Sequence, residues 1–454
     1  MNLAEIIDAH PDGAPALVDA ARTLTYGDLR AEVAAARAGL VGAGVAPGDR
    51  VALSIGNTWE FPVAFLAVVS AGAVAVPLNP ASPAPERDAQ MAAVGAAHLL
   101  DAVPSGGPPA PPVPREEGDL ACLLFTAGTA GAPRAAMLTH GNLLANQAQM
   151  QAQPGRALAA TDVSLGVIPL FHIFGLNVVL LLTLRAGGAV ALAAHFDPGA
   201  PLPPGVTVVA GVPAMWRDWL AAQAEGRFSG VRLALSGAAA LGADTSAAWR
   251  ARGLVVHEGY GLTEAGPTVT SSAGEAVRDG SIGVPLPGVE VRLVGADGDD
   301  VLAGDEGEVW VRGPNVFAGY WGDEGATRAA LAPEGWLRTG DIAVADADGW
   351  LYLVDRAKDV VNVSGFKVYP AEVEDVLAEH PSVADAAVVG APHPHSGETV
   401  TAFVVARGPL TAEELIRFCA ARLARYKCPT AVTFVDALPQ GVAGKVLRRQ
   451  LRGT

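Results

Sequence analysis

Up to about residue 270 the chain alternates short apolar runs with longer amphipathic or wholly apolar stretches. RVALSIGN (50–57), VTVVAGVP (206–213) and VRLALSGAA (231–239) read as strands; the last two end in small residues. WEFPVAFLAVVSAG (59–72) reads as a buried helix stopped by Gly72, with the strand VAVPLN after it. Such alternation predicts parallel sheets covered by helices, with ligands at the carboxyl ends of the strands. From 281 to 355 the pattern changes. VEVRLV, EVWVRGP and GWLYLVD alternate apolar and polar positions between Gly/Asp turns, which predicts a small antiparallel, barrel-like unit. Beyond residue 359, AEVEDVLAEH and TAEELIRFCAARLARY read as helices, and ADAAVVGAP and TAFVVARG as strands. The fold class is therefore α/β and α+β: a large N-terminal domain over 1–355, a hinge at 356–359 and a small mobile α+β domain over 360–454. The Pro-rich stretch 104–118 reads as a linker or surface loop.

Composition narrows the partners. At 454 residues the chain exceeds one usual core, and 50% of it is hydrophobic against 17% charged, which fits a large buried globular protein. The formal net charge of −16 argues against nucleic acid, because a phosphate backbone needs a basic face. Cys122, Cys419 and Cys428 are too few for a disulfide framework, and with no signal-like N-terminus the expected compartment is a reducing cytoplasm. Two apolar stretches, 61–78 and 167–184, approach membrane-helix length. Gly72 and Pro77 interrupt the first, and Pro169, His172, Gly175 and Asn177 the second, so neither is expected to span a bilayer. Peripheral membrane contact is left open.

Four segments carry the candidate chemistry. FTAGTAGAPRAAMLTHGN (125–142) is a Gly/Thr-rich loop whose backbone N–H groups could wrap a polyphosphate, with Thr126 and Thr129 adding hydroxyls and Arg134 a cation. No Lys-Ser/Thr follows its second glycine, so it is not a Walker loop. GYGLTE (259–264) and GWLRTGD (335–341) each end in an acid able to serve magnesium or a sugar hydroxyl. GVAGKVLRR (441–449) places one lysine, Lys445, between Gly444 and a pair of arginines. A carboxylate brought against an anionic phosphate needs a cation between them, and Lys445 is the natural candidate.

In order and spacing the four segments resemble the adenylate-forming superfamily of acyl-CoA synthetases, luciferases and peptide-synthetase adenylation domains. The resemblance implies ATP, Mg²⁺ and coenzyme A, and assigns the residues as follows. Thr126, Gly128, Thr129, Gly131 and Arg134 would hold phosphates. Gly237, Ala238 and Ala239 would edge the adenine, with Tyr260 and Gly261 against it. Thr263 would meet the α-phosphate, Glu264 would bind Mg²⁺, and Asp341 with Arg356 would hold the ribose. Lys358 would be the hinge. The loop departs from the family pattern at Ala127, Ala130, Arg134 and Ala135, and two hydroxyls are thereby lost. Each could be worth about 1.5–3 kcal/mol as a hydrogen bond to charge.

Gly365, in SGFKVYPAEVE (364–374), would leave room for pantetheine, and YKCP (426–429) resembles acyl-CoA-forming members. His172 in PLFHIFG would gate the path between acyl and pantetheine sites. Amino-acid-activating relatives need an acid near this point, and none is present. The pocket candidates Gly211, Val212, Ala238, Ala239, Gly259 and Gly266 are small or apolar and include no cation for a second carboxylate. The expected function is an AMP-forming acyl-CoA synthetase for a medium- or long-chain fatty acid. The alternatives are an aryl or arylalkanoate ligase, an acyl-AMP ligase loading a carrier protein, and a binding protein with a degenerate phosphate loop. Oligomeric state is not legible.

Overall fold

A computed structural model describes residues 1–20, 22–127, 133–238, 241–274, 277–295, 297–356, 361–368, 370–439 and 451. The chain divides into two compact units. The first comprises Met1–Pro80, Ala93–Leu124 and Ala135–Asp355; the second comprises Ala81–Ala92, Phe125–Arg134 and Arg356–Thr454.

The first unit is built on a nine-stranded sheet. Val256–Gly261, Leu233–Ser236, Val208–Gly211, Val163–Gly166, Ala189–Leu192 and Pro15–Val18 run parallel in that order. Antiparallel Thr268–Ser271 and Thr23–Thr25 flank them. Side chains along a strand alternate between faces, and here both faces are buried. Val208, Ala210, Leu233 and Leu235 join a core that includes Leu176–Leu182, whereas Val209, Ala234 and Val256 join one built around Trp216, Trp219, Phe228 and Trp249. The three indoles pack on one another and on the phenyl ring, with Trp216 edge to face 5.1 Å from Trp219 and 5.5 Å from Trp249.

A five-stranded sheet, in the order His98–Leu100, Arg50–Leu53, Val74–Pro77, Leu120–Ala127, Pro133–Thr139, completes the α/β part. The expected helix after residue 59 is Glu60–Ser70, with every residue from Phe61 to Ser70 buried, as a helix apolar on all sides must be. Its neighbour, the Pro-rich 104–118 stretch, is no free linker. Asn2 Nδ2 donates to the Val113 carbonyl at 2.9 Å, Arg37 Nε to that of Ala110 at 2.8 Å, and Val113 N to that of Ser70 at 2.8 Å. The expected barrel-like unit is a four-stranded antiparallel sheet, Glu290–Val294, Glu306–Arg312, Leu337–Ala345 and Leu351–Arg356.

In the second unit Val383–His393 and Gly397–Ala406 form a long hairpin, flanked by Val361–Val363, Phe366–Val368 and Ala431–Phe434. The helix expected over 411–426 is shorter, Ala412–Ala420. Its would-be last turns instead bury Leu423 and Ala424 and form the 3₁₀ turn Arg425–Lys427. That turn drives Lys427 inward, 2.6 Å from Glu86 Oε1 and 2.8 Å from Glu372 Oε1. All three cysteines are free and buried. Among the described residues no helix is long and apolar enough to cross a membrane.

Trp216 is fully buried. Trp216→Ala should destabilise the first unit by about 3–5 kcal/mol, read as a lowered urea midpoint. A loss below about 1 kcal/mol would mean that the surrounding rings close over the space.

Candidate active site

The parallel strands deliver their carboxyl ends to one edge of the first unit. Gly211 closes Val208–Gly211, Gly237 follows Leu233–Ser236, and Val256–Gly261 ends in GYG. Gly237 N donates to the Gly211 carbonyl at 3.3 Å. A Cβ on Gly237 would lie 3.3 Å from the Phe174 ring, so the missing side chain admits that ring to the strand end. Ala238 follows with φ +73°, a left-handed conformation that costs a non-glycine residue roughly 1–2 kcal/mol. Strain of this kind concentrates at ligand sites.

Two tyrosine–carboxylate pairs sit beside these ends. Tyr260 donates its hydroxyl to Asp341 Oδ2 at 2.7 Å, and both residues are buried. Tyr320 donates to Glu264 Oε1 at 2.7 Å. Thr263 and Glu264 lie in the 3₁₀ turn Thr263–Ala265, which Gly266 ends with φ +80°. The aim of Asp341 has a local cause. Glu306–Arg312 and Leu337–Ala345 lose register between Glu308 and Trp310, and a bulge of this kind redirects a side chain. Gly340, at φ +72°, donates its N–H to Glu308 Oε1 at 3.0 Å, and Asp341 N donates to Thr339 Oγ1 at 3.1 Å.

The donor set fits magnesium. Mg²⁺ takes one or two carboxylates together with substrate phosphates, not a full protein cage. Glu264 is a buried hard-oxygen donor with Oε1 oriented by Tyr320, and among the described residues no cluster of three metal-type side chains competes with it.

The PLFHIFG segment is held from below. Asn57 Nδ2 donates to the Ile168 carbonyl at 2.9 Å, and its Oδ1 accepts from Leu170 N at 2.9 Å. His172 is half-buried, and its Nδ1 accepts from Phe174 N at 3.3 Å. Next comes a π-helix, Phe174–Leu181, a rare form that is frequent at functional sites. Between this helix and the sheet lies a cavity of about 10 Å³, room for one water-sized group. Val178, Val179, Leu182, Ala210 and Leu235 line it, together with Ser164 and Arg156.

Two expected pocket residues face elsewhere. A Cβ on Gly211 would meet Trp216 Nε1 at 3.0 Å, so its smallness serves the indole cluster, and Val208 and Ala210 are the residues of that strand lining the cavity. Gly266 is enclosed by Asn142, Asn146 and Asn315, and its carbonyl accepts from Asn177 Nδ2 at 2.6 Å. Gly259 lies within its strand, where a Cβ would stand 3.1 Å from the Thr270 carbonyl oxygen, and Val212 precedes the helix Pro213–Ala221.

In the second unit Thr126 Oγ1 stands 3.5 Å from the Arg134 carbonyl oxygen, across the base of the phosphate loop. Ser364 and Gly365, at φ +50° and +87°, form the two-residue turn between Val361–Val363 and Phe366–Val368, so the hairpin itself demands a residue tolerant of positive φ at 365. Gly128, Thr129, Gly131, Ala239, Lys358 and Lys445 lie outside the described residues, as does the side chain of Arg356. Sequence reasoning missed Tyr320 and Arg156. An aromatic two residues before a Gly, in AGYWGD, gives no hint of an acid partner 56 positions away.

The profile of the AMP-binding enzymes matches residues 3–105 and 101–321, and that of their C-terminal domain matches 372–445. The chain belongs to the AMP-binding enzyme family. It is 40% identical over 462 residues to a feruloyl-CoA synthase from Amycolatopsis sp, covering 94% of this chain and 93% of the relative. It is 35% identical over 519 residues to a long-chain-fatty-acid–CoA ligase from Escherichia coli O157:H7, covering 96% and 91%. A malonyl-CoA ligase solved with methylmalonyl-CoA and AMP superposes with a TM-score of 0.85 at 33% identity, over 96% of this chain and 99% of that one. The chain is thus an ATP-dependent, AMP-forming acid–CoA ligase whose acid the relatives do not fix.

Tyr320→Phe removes one hydrogen bond to a carboxylate, worth about 1.5–3 kcal/mol. The Mg²⁺ concentration for half-maximal adenylation should rise roughly tenfold. An unchanged magnesium titration would reduce Tyr320 to a packing residue.

Proposed function

We propose that this AMP-binding enzyme joins coenzyme A to a flat arylpropenoic acid such as ferulate. The observation that carries the reading is the 40% identity to a feruloyl-CoA synthase over 94% of this chain. The water-sized cavity between the π-helix Phe174–Leu181 and the sheet, with Arg156 and Ser164 in its wall, would take only a terminal oxygen of such an acid. A wholly aliphatic tail has no use for a buried guanidinium. That changes the order of preference from the sequence, in which fatty acids stood first. Fatty acids remain the second reading, supported by the 35% identity to a long-chain ligase and by the apolar remainder of the lining. Malonate-type acids fit least, because the cavity beside Arg156 is water-sized and does not take a second carboxylate.

In the proposed reaction a carboxylate oxygen attacks the α-phosphorus of ATP, and pyrophosphate leaves. The thiolate of coenzyme A then attacks the acyl carbon, and AMP leaves with the carboxylate oxygen. Asp341, buried and fixed by Tyr260, would accept the ribose hydroxyls. Mg²⁺ at Glu264 would offset phosphate charge. Thr126 and Arg134 would hold the outer phosphates, Lys445 would stand between carboxylate and α-phosphate, and Gly365 would border the pantetheine. His172 would guard the acyl entrance above Phe174. A loop-to-helix segment with no acid near 171–174 suits an uncharged acyl body over an amino acid.

Lys445→Ala tests the division of labour. Adenylation of ferulate, read as ATP–pyrophosphate exchange, should fall at least about 100-fold, the scale of losing one preorganised electrostatic contact. Thioester formation from supplied feruloyl-adenylate should stay within a fewfold of wild type. Equal loss of both half-reactions would remove Lys445 from that role. Transfer to a carrier protein in preference to coenzyme A would overturn the acceptor.

A further inference from the structure

Arg156 has no obvious reason to be where it is. It lies in the loop after the helix His140–Ala152, only 3% exposed. Its Nη1 donates to Ser271 Oγ at 3.3 Å and its Nη2 to the Met150 thioether at 3.1 Å, a long bond and a weak acceptor. Its buried Nε has no partner. Among the described residues no carboxylate pairs with it. The titratable neighbour, His257, is kept below its usual range first by burial and then by this same cation. Burial pushes the guanidinium down to about 10, which leaves it charged at neutral pH. A charge buried without a counter-ion is costly, and a chain that needed only to fill this space could use methionine or glutamine. One water in the cavity could satisfy Nε, but it would leave the charge uncompensated.

The cavity gives the cation an occupant. Its lining runs from Ala210 and Leu235, one residue short of the strand ends, back to Val208 and Leu233, about 7 Å deeper at a strand's rise per residue. We propose that Arg156 is a specificity-determining residue at the distal end of the acyl site, its guanidinium donating to a terminal oxygen of the acid that enters this cavity while the acyl body stays outside it, toward the strand ends. The space admits one water-sized polar group, so a phenolic or hydroxyl oxygen fits and a second carboxylate does not. The inference rests on the acid–CoA ligase reading and names what that ligase reads at the end of its substrate.

Matched acids test it. Thioester formation by the full-length wild type is measured with 4-hydroxycinnamate and 4-methylcinnamate, which share shape and differ in the distal oxygen. A site built to bond a hydroxyl rejects the analogue lacking it, so kcat/KM should favour the hydroxylated acid at least about tenfold. Arg156→Met should bring the ratio near one, and Arg156→Lys should retain part of it. A wild type that uses both acids equally overturns the proposal, whether or not Arg156→Met folds. So does an Arg156→Met enzyme slowed on both acids with the ratio unchanged, which is the signature of a structural residue. If neither cinnamate reacts but palmitate does, the arylpropenoate reading has failed, and 16-hydroxypalmitate against palmitate decides Arg156 by the same ratio. If no acid yields thioester, the ligase reading has failed. Thermal stabilisation of wild type by the hydroxylated against the methylated cinnamate then decides Arg156, equal shifts overturning it.

Discussion

A parallel sheet buried on both faces leaves its chemistry nowhere to go but the strand ends. Val208, Ala210, Leu233 and Leu235 are committed to one core, and Val209, Ala234 and Val256 to the other. At the strand ends Gly211, Gly237, Gly259 and Gly261 carry no side chain of their own. Small residues there are required twice over. Gly237 admits the Phe174 ring from one side, and Gly211 admits Trp216 from the other. The strand ends and the indole cluster are therefore coupled through packing, although only the former faces the proposed substrates.

The acids of the site are not left to find their own orientation. Asp341 is turned by a bulge and bonded by Tyr260, while Glu264 is bonded by Tyr320. Each tyrosine donates to one carboxylate oxygen, which fixes a direction for the remaining lone pairs. Preorganisation of this kind spares the reaction the work of turning dipoles when charge develops.

Much of this was legible in the sequence, and the failures have physical reasons. Strand signals such as VRLALSGAA are strong because apolar runs between Gly-rich ends have few other uses, and the observed strand is Leu233–Ser236. The antiparallel sheet over 290–356 followed from strict alternation. The face of Gly211 did not, because a strand buried on both sides is apolar throughout and shows no alternation. The helix expected over 411–426 overran because ARLARY has good helix propensity. Burial of Leu423 and the pull of Glu86 and Glu372 on Lys427 end it earlier, and neither is visible locally. Arg156 was missed for the same reason. In PGRALAATD it looks like any solvated arginine, and only the third dimension brings it to the same cavity as Val178 and Leu182.

The central claim is that the acid is activated through a mixed anhydride with AMP before the thioester forms. An acid labelled with ¹⁸O in both carboxylate oxygens, turned over with ATP and coenzyme A, tests it directly by mass spectrometry of the products. The account predicts one labelled oxygen in AMP, none in pyrophosphate, and one retained in the thioester. Label in inorganic phosphate with release of ADP, or thioester formed with unlabelled AMP, would contradict it.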